Sequence, residues 1–192
     1  MQHPAEEAAA RLRSALAALE TTCEAASNQP IVAGLTPSWD EEHGTVTMCC
    51  TSGPGTLLDI ETRVSGNPRW LTLGLDLGVG RFEAGDVVGI VAEMEADTTG
   101  DCEMFIRTAS EQGSADTVLR ETLSFAPERS TCTALHPVSP TDRLTGAAGF
   151  QMLGIQLPRT RLRLQLHDLH LFVQPAAAAP RAPGMPLTSA MA

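Results

Sequence analysis

No lysine occurs in this sequence; all 13 basic residues are arginine. That absence excludes a P-loop lysine, a Schiff-base lysine and a lysine general base. Codon bias in a GC-rich genome accounts for it without a functional cause. Positive charge is scarce overall, with 13 basic against 23 acidic residues and a net charge of −10. Phosphate neutralisation needs a positive surface, so nucleic acid is not an expected partner. An anionic membrane surface is disfavoured for the same reason. No apolar run reaches the roughly 20 residues that span a bilayer. The longest runs are strand-sized, such as Val87 to Ala92. The opening MQHPAEEAAARL lacks the apolar stretch of a secretory signal and is too acidic for a transit peptide. The expectation is a cytoplasmic protein, unless another route exports it.

Paired thiols are missing as well. The five cysteines, Cys23, Cys49, Cys50, Cys102 and Cys132, include no CxxC. Zinc frameworks use cysteines two to four apart. Cys49 and Cys50 are neighbours, and neighbours on a strand point to opposite faces. All five therefore read as reduced, mostly buried small hydrophobes. No GxSxG elbow occurs. The segment Thr51-Ser52-Gly53-Pro54-Gly55 is a turn, and without a lysine it is no phosphate loop.

What is present is period two. A chain of 192 residues usually forms one domain and buries roughly 70% of its unfolded surface. Leu71, Leu73, Leu75 and Leu77 alternate with Thr72, Gly74 and Asp76, as in a half-buried strand. Val88, Ile90, Ala92 and Met94 do the same. Further strands are expected at 45–50, 57–64, 102–107, 118–125, 131–136 and 150–157, with a phase change between Met152 and Leu153. Residues 31–44 and 109–116 read as loops. Over 161–173 the leucines occupy even positions up to Leu166 and odd ones from Leu169. That slip at His167-Asp168 predicts a β-bulge.

Helical spacing is confined to the start. Leu12, Leu16, Leu19 and Cys23 recur at four, three and four, predicting a helix from Pro4 to about Ala26. Pro4 suits a first turn, and Glu6 and Glu7 suit the positive end. The expected organisation is a helix in 1–30, a sandwich domain in 31–175 and a disordered Ala/Pro-rich tail in 176–192. The fold class is all-β: an antiparallel, jelly-roll-like β-sandwich with an N-terminal α-helix.

The stretch from Trp70 to Val173 resembles the jelly-roll domains of carbohydrate-binding modules and galactose-binding-like folds. The strand Trp70 to Leu77 followed by Ala84-Gly85-Asp86-Val87-Val88 carries the likeness. So do the long strand Leu162 to Leu171, interrupted by Asp168, and the Pro175 that ends it. The resemblance implies a non-catalytic binding module with glycan as ligand. It also implies a structural calcium held near the first and last strands, with Asp168 as the position carried over. Sugar rings stack on aromatic platforms, yet tyrosine is absent and tryptophan occurs twice. Trp70 opens an apolar strand and reads as core. Trp39, beside Asp40, Glu41 and Glu42, is the candidate for exposure and ligand contact.

Independently of that likeness, His167, Asp168 and His170 are the densest ligating group. Two imidazoles and a carboxylate can bind zinc or iron, and a solvated outer face is the alternative. His167 and His170 are thus candidate ligand-binding residues, and Asp168 a candidate metal ligand. Carboxylate pairs such as Glu93 with Glu95 could serve a glycosidase, and Asp97, Asp101 and Glu103 could take calcium. Ordinary surface charge explains both sets equally. A protein partner remains the alternative to glycan: the helical stripe could dock in a bacterial or phage-like assembly.

Overall fold

The computed structural model describes residues 3–19, 23–111, 113–145 and 148–176. They form a helix, α1 (Pro4–Ala17), and thirteen strands. The first seven are β1 (Cys23–Ala25), β2 (Leu35–Trp39), β3 (Gly44–Gly53), β4 (Thr56–Gly66), β5 (Leu71–Gly80), β6 (Val87–Ala96) and β7 (Gly100–Cys102). The rest are β8 (Met104–Ser110), β9 (Gly113–Val118), β10 (Leu123–Phe125), β11 (Ser130–Pro137), β12 (Gly149–Gln156) and β13 (Leu162–Gln174). A six-stranded sheet runs β1-β3-β4-β13-β6-β11 and a five-stranded sheet β2-β5-β12-β8-β9. A small third sheet pairs β10 with β7. Every pairing between these strands is antiparallel, so the fold is the expected antiparallel sandwich.

Alternation explains where the core sits. Leu71, Leu73, Leu75 and Leu77 of β5 are buried, as are Val88, Ile90, Ala92 and Met94 of β6, and both sets join one apolar cluster. Their strand neighbours point outward, which leaves Thr72, Gly74 and Asp76 on the outer face of the five-stranded sheet. In β13 the register against β6 shifts between Leu166 and Asp168. The bulge lets Leu162 and Leu164 on one side, and Leu169, Leu171 and Val173 on the other, all reach the core. A second shift falls between Gln151 and Met152, one residue before the expected phase change.

The helix is shorter than its periodicity suggests. It ends at Ala17, and Cys23, at the end of the predicted stripe, instead opens β1, where residues 23–25 pair with β3. Tertiary pairing at a sheet edge overrides helical spacing there. Within the helix, Leu12 and Leu16 are buried with Ala5, Ala8 and Ala9. They pack against β5 of one sheet and β13 of the other. His3 caps the helix: its Nδ1 accepts the Ala5 N–H at 3.2 Å, so Nε2 carries the proton donated to the Arg81 carbonyl at 3.1 Å. The same ring stacks on the buried Phe82 at 4.8 Å. No helix among the described residues is long and apolar enough to cross a membrane.

Two segments read as loops are strands. Residues 35–39 form β2 and residues 113–118 form β9, each on an edge of the five-stranded sheet. Conversely, the strand expected over 118–125 breaks after Val118 and resumes as β10. The Ala/Pro-rich tail expected at 176–192 lies, beyond Ala176, outside the described residues.

Candidate functional site

The four residues expected to bind ligand or metal do not converge. Trp39 ends β2 and shares the inward phase of Leu35 and Pro37; it is only 7% exposed. The expectation that it lies on a polar loop and meets ligand is corrected by that phase. His167, Asp168 and His170 lie on β13 in the six-stranded sheet. The bulge sets His167 apart from Asp168 and His170, which stay in contact. His167 turns to the β3–β4 hairpin, where Nδ1 donates to the Gly55 carbonyl at 2.9 Å. Asp168 Oδ2 instead accepts from His170 Nε2 at 2.8 Å, and Arg13 of the helix sits 3.7 Å from Oδ1. Burial alone would raise the Asp168 carboxyl, but the Leu169 amide, His170 and Arg13 hold it below its usual range. Calcium takes six to eight oxygen ligands. An imidazole and a guanidinium around Asp168 are the wrong donor set, and these residues do not fit that ion.

Among the described residues, one trio has ligating atoms close enough for a metal: Asp40, Glu42 and His43, within 4.8 Å of one another. Its centre is already filled by protein donors. Asp40 is buried, and its Oδ2 accepts Arg69 Nε at 2.7 Å and the Arg69 backbone N–H at 3.0 Å. Oδ1 accepts the Glu42 N–H at 3.1 Å, and His43 Nδ1 lies 3.0 Å from Oδ2. The Arg69 guanidinium, against the opposing pull of burial, holds the Asp40 carboxyl well below the usual carboxylate range. This knot is structural, and it positions the residue that follows Arg69.

That residue is Trp70. It precedes β5 on the outward phase of Thr72 and is 39% exposed. Its ring faces the Arg69 guanidinium at 5.3 Å. The expectation that Trp70 is core is therefore corrected, and the two tryptophans exchange roles. Trp70 lines a groove of about 400 Å³ on the outer face of the five-stranded sheet. Thr36 and Ser38 of β2, Thr72 of β5 and Asn28 supply polar groups along it. Phe105, Arg107 and Met152 supply the opposite wall.

Glycines create the depth. Gly154 lies under the Phe105 ring, which occupies the place a Cβ would take. Gly74 lies under Met152, whose sulfur would stand 2.8 Å from such a Cβ. Without side chains at these floor positions the aromatic and thioether walls fold down onto the sheet. Arg107 stacks over Phe105 at 5.4 Å and forks onto Asp116, with both N–H···O bonds at 2.7 Å. The hydrogen bonds to Asp116 raise the Arg107 pKa further. The groove thus offers one half-exposed indole, a line of hydroxyls and a neutralised Arg–Asp fork.

No protein-family model matches the sequence, and no curated protein matches it. Solved structures do share its fold. A CBM4 carbohydrate-binding module superposes with a TM-score of 0.53 at 14% identity, over 82% of this chain and 97% of that one. The CBM22-1 xylan-binding domain from Paenibacillus barcinonensis gives 0.50 at 11% identity, over 83% and 98%. The chain has the jelly-roll sandwich fold of carbohydrate-binding modules.

The groove residues were missed for a reason of phase. Thr72 and Gly74 are visibly the outer positions of the strand, and Trp70 shares their even numbering. Trp70 nonetheless reads as core, because it opens an apolar strand. Phe105 and Met152 carried no comparable signal, because only the paired glycines across the sheet define their place.

Proposed function

We propose that this protein is a non-catalytic module that binds a carbohydrate chain in the groove on its five-stranded sheet. One observation carries the proposal: Trp70 stands half-exposed in a groove where hydroxyl and amide groups line one side and Phe105, Met152 and the paired Arg107 the other. An apolar C–H face of a sugar ring stacks on an indole, while its equatorial hydroxyls need the donors and acceptors beside it. Thr36, Ser38, Thr72 and Asn28 provide both. The Arg107–Asp116 fork adds a donor and an acceptor of fixed geometry without net charge, which suits a neutral polyhydroxyl ligand. The shared fold with carbohydrate-binding modules supports this reading as analogy only.

The alternative of an assembly subunit loses the feature that motivated it, since Leu12 and Leu16 are buried on the chain's own sandwich. Isothermal titration against soluble xylan, cello-oligosaccharides and mixed-linked glucan tests the proposal. Saturable binding that Trp70→Ala weakens by about tenfold or more supports it. Absence of heat and of gel retardation with every neutral polysaccharide tried overturns it.

A further inference from the structure

A second hollow, of about 230 Å³, lies next to the groove and is walled by the helix. Its floor is Asp76 and Gly78, and its far wall is Ala8, Arg11 and Ala15 of α1. The positions show how the two hollows relate. Thr72, Gly74 and Asp76 are successive outward residues of β5, and Gly78 follows them across the bulge opposite Gln151 and Met152. The first two belong to the groove and the last two to the second hollow. On the neighbouring strand, Ser38 pairs with Thr72 and Thr36 with Gly74, and Gly34, just before β2, floors the second hollow. The Asp76 N–H donates to the Gly34 carbonyl at 2.9 Å, which continues the same row. Met152 borders the junction, its Cα opposite Asp76 and its side chain over Gly74.

We propose that the two hollows form one elongated ligand track along β2 and β5, running from Trp70 to the underside of α1. This rests on the carbohydrate reading above and specifies it: the ligand is an extended oligosaccharide of several rings, not a mono- or disaccharide. Six residue steps lead from Thr72 to Gly78, a track of about 20 Å at roughly 3.4 Å per residue. The chemistry of the far end suits the same ligand. Among the described residues the Asp76 carboxylate makes no hydrogen bond within the protein, so it is available to accept from hydroxyls. The Arg11 guanidinium is largely exposed, and its nearest carboxylate partner is Glu7 at 3.8 Å. Ala8 and Ala15 leave room for a ring between helix and sheet. The helix, which caps the open end of the sandwich, thereby becomes the end wall of the binding track.

The test is calorimetric titration of the full chain with a length series, disaccharide through hexasaccharide, from whichever polysaccharide the protein retains. Affinity is expected to rise beyond the length that covers the first hollow. Asp76→Asn is expected to weaken the longest ligand about tenfold, the effect of losing a hydrogen bond to a charged group. The shortest ligand should be unaffected. Arg11→Ala, at an exposed helix position where folding is not in question, should show the same length selectivity. Trp70→Ala should weaken every length. If affinity levels off at the shortest ligand, or both far-end variants bind all lengths as wild type does, the extended track is wrong while the groove stands. If no length binds to the wild type, the carbohydrate reading itself falls.

Discussion

The Asp40 carboxylate grips Arg69 twice, through the backbone N–H at 3.0 Å and Nε at 2.7 Å, and that guanidinium faces the Trp70 ring at 5.3 Å. A buried acid in the loop after β2 thus sets the platform at the mouth of the groove. Asp40 has a folded pKa held below its ordinary value of 3.8, chiefly by Arg69. Its stabilising contribution is complete above that value and is lost as pH falls through the depressed folded value. Urea midpoints should therefore be flat from neutral pH to about 5 and fall below about 4. Asp40→Asn should lower the midpoint at neutral pH and make the acid decline shallower. An identical acid profile in the variant would remove Asp40 from this role.

The two tryptophans should separate stability from binding. Trp39 is 7% exposed, and truncation to alanine should cost about 3–5 kcal/mol by denaturant unfolding. Trp70 is 39% exposed, and Trp70→Ala should cost about 1 kcal/mol or less. Its ligand affinity should nonetheless fall by about tenfold or more, since a central aromatic contact is lost. Equal destabilisation by the two substitutions would contradict the assigned faces.

Gly154 tests the floor of the groove. A methyl there meets the Phe105 ring, so Gly154→Ala must push the ring off the sheet. Overpacking of this kind costs about 1–3 kcal/mol. Because Phe105 carries Arg107, ligand affinity should fall as well. A double variant, Gly154→Ala with Phe105→Ala, should recover part of the stability loss but not the binding. No recovery would show that the two positions are not coupled.

The thiols should differ in reactivity. Burial pushes the Cys102 thiol up to about 12, with Asp101 adding to the shift. The thiolate is the species that alkylates, so native protein at mildly alkaline pH should leave Cys102 unlabelled by iodoacetamide. Cys49 and Cys132, both partly exposed, should label first, as peptide mass mapping would show.

Much of the sandwich was legible because long strands repeat their pattern. Val88 to Met94 and Leu71 to Leu77 each show four inward residues in a row, and the bulge at His167-Asp168 announced itself as a change of phase. Short edge strands did not. β2 holds three inward residues, one of them Pro37, and β9 has no large apolar residue but Val118. What makes them strands is the ladder they find on β5 and β8. The groove was partly legible: Trp70, Thr72 and Gly74 share a face by numbering alone. Phe105 and Met152 depend on glycines in partner strands, which single-strand periodicity does not reveal. The acidic and histidine clusters drew attention by density, yet density does not say which neighbours satisfy them. Arg69 and Arg13 do that across 29 and 155 residues of chain respectively, Arg69 for Asp40 and Arg13 for Asp168.

The bulge itself can be removed. His167 is the extra residue between Leu166, opposite Met94, and Asp168, opposite Glu93. Deleting it places Leu162, Leu164, Leu166, Leu169, Leu171 and Val173 on one uninterrupted phase, so the inward set is kept. What is lost is the His167 hydrogen bond to Gly55, a contribution of about 0.5–1.5 kcal/mol, and the local twist that the bulge imparts. The deletion variant should fold, with circular dichroism unchanged and a modest drop in denaturation midpoint. Deleting Leu169 instead brings Asp168 or His170 to the buried position opposite Ala92, and burying that polar group should cost several kcal/mol. If the two deletions prove equally damaging, the bulge is required for closure of the sheet and is not merely a correction of register.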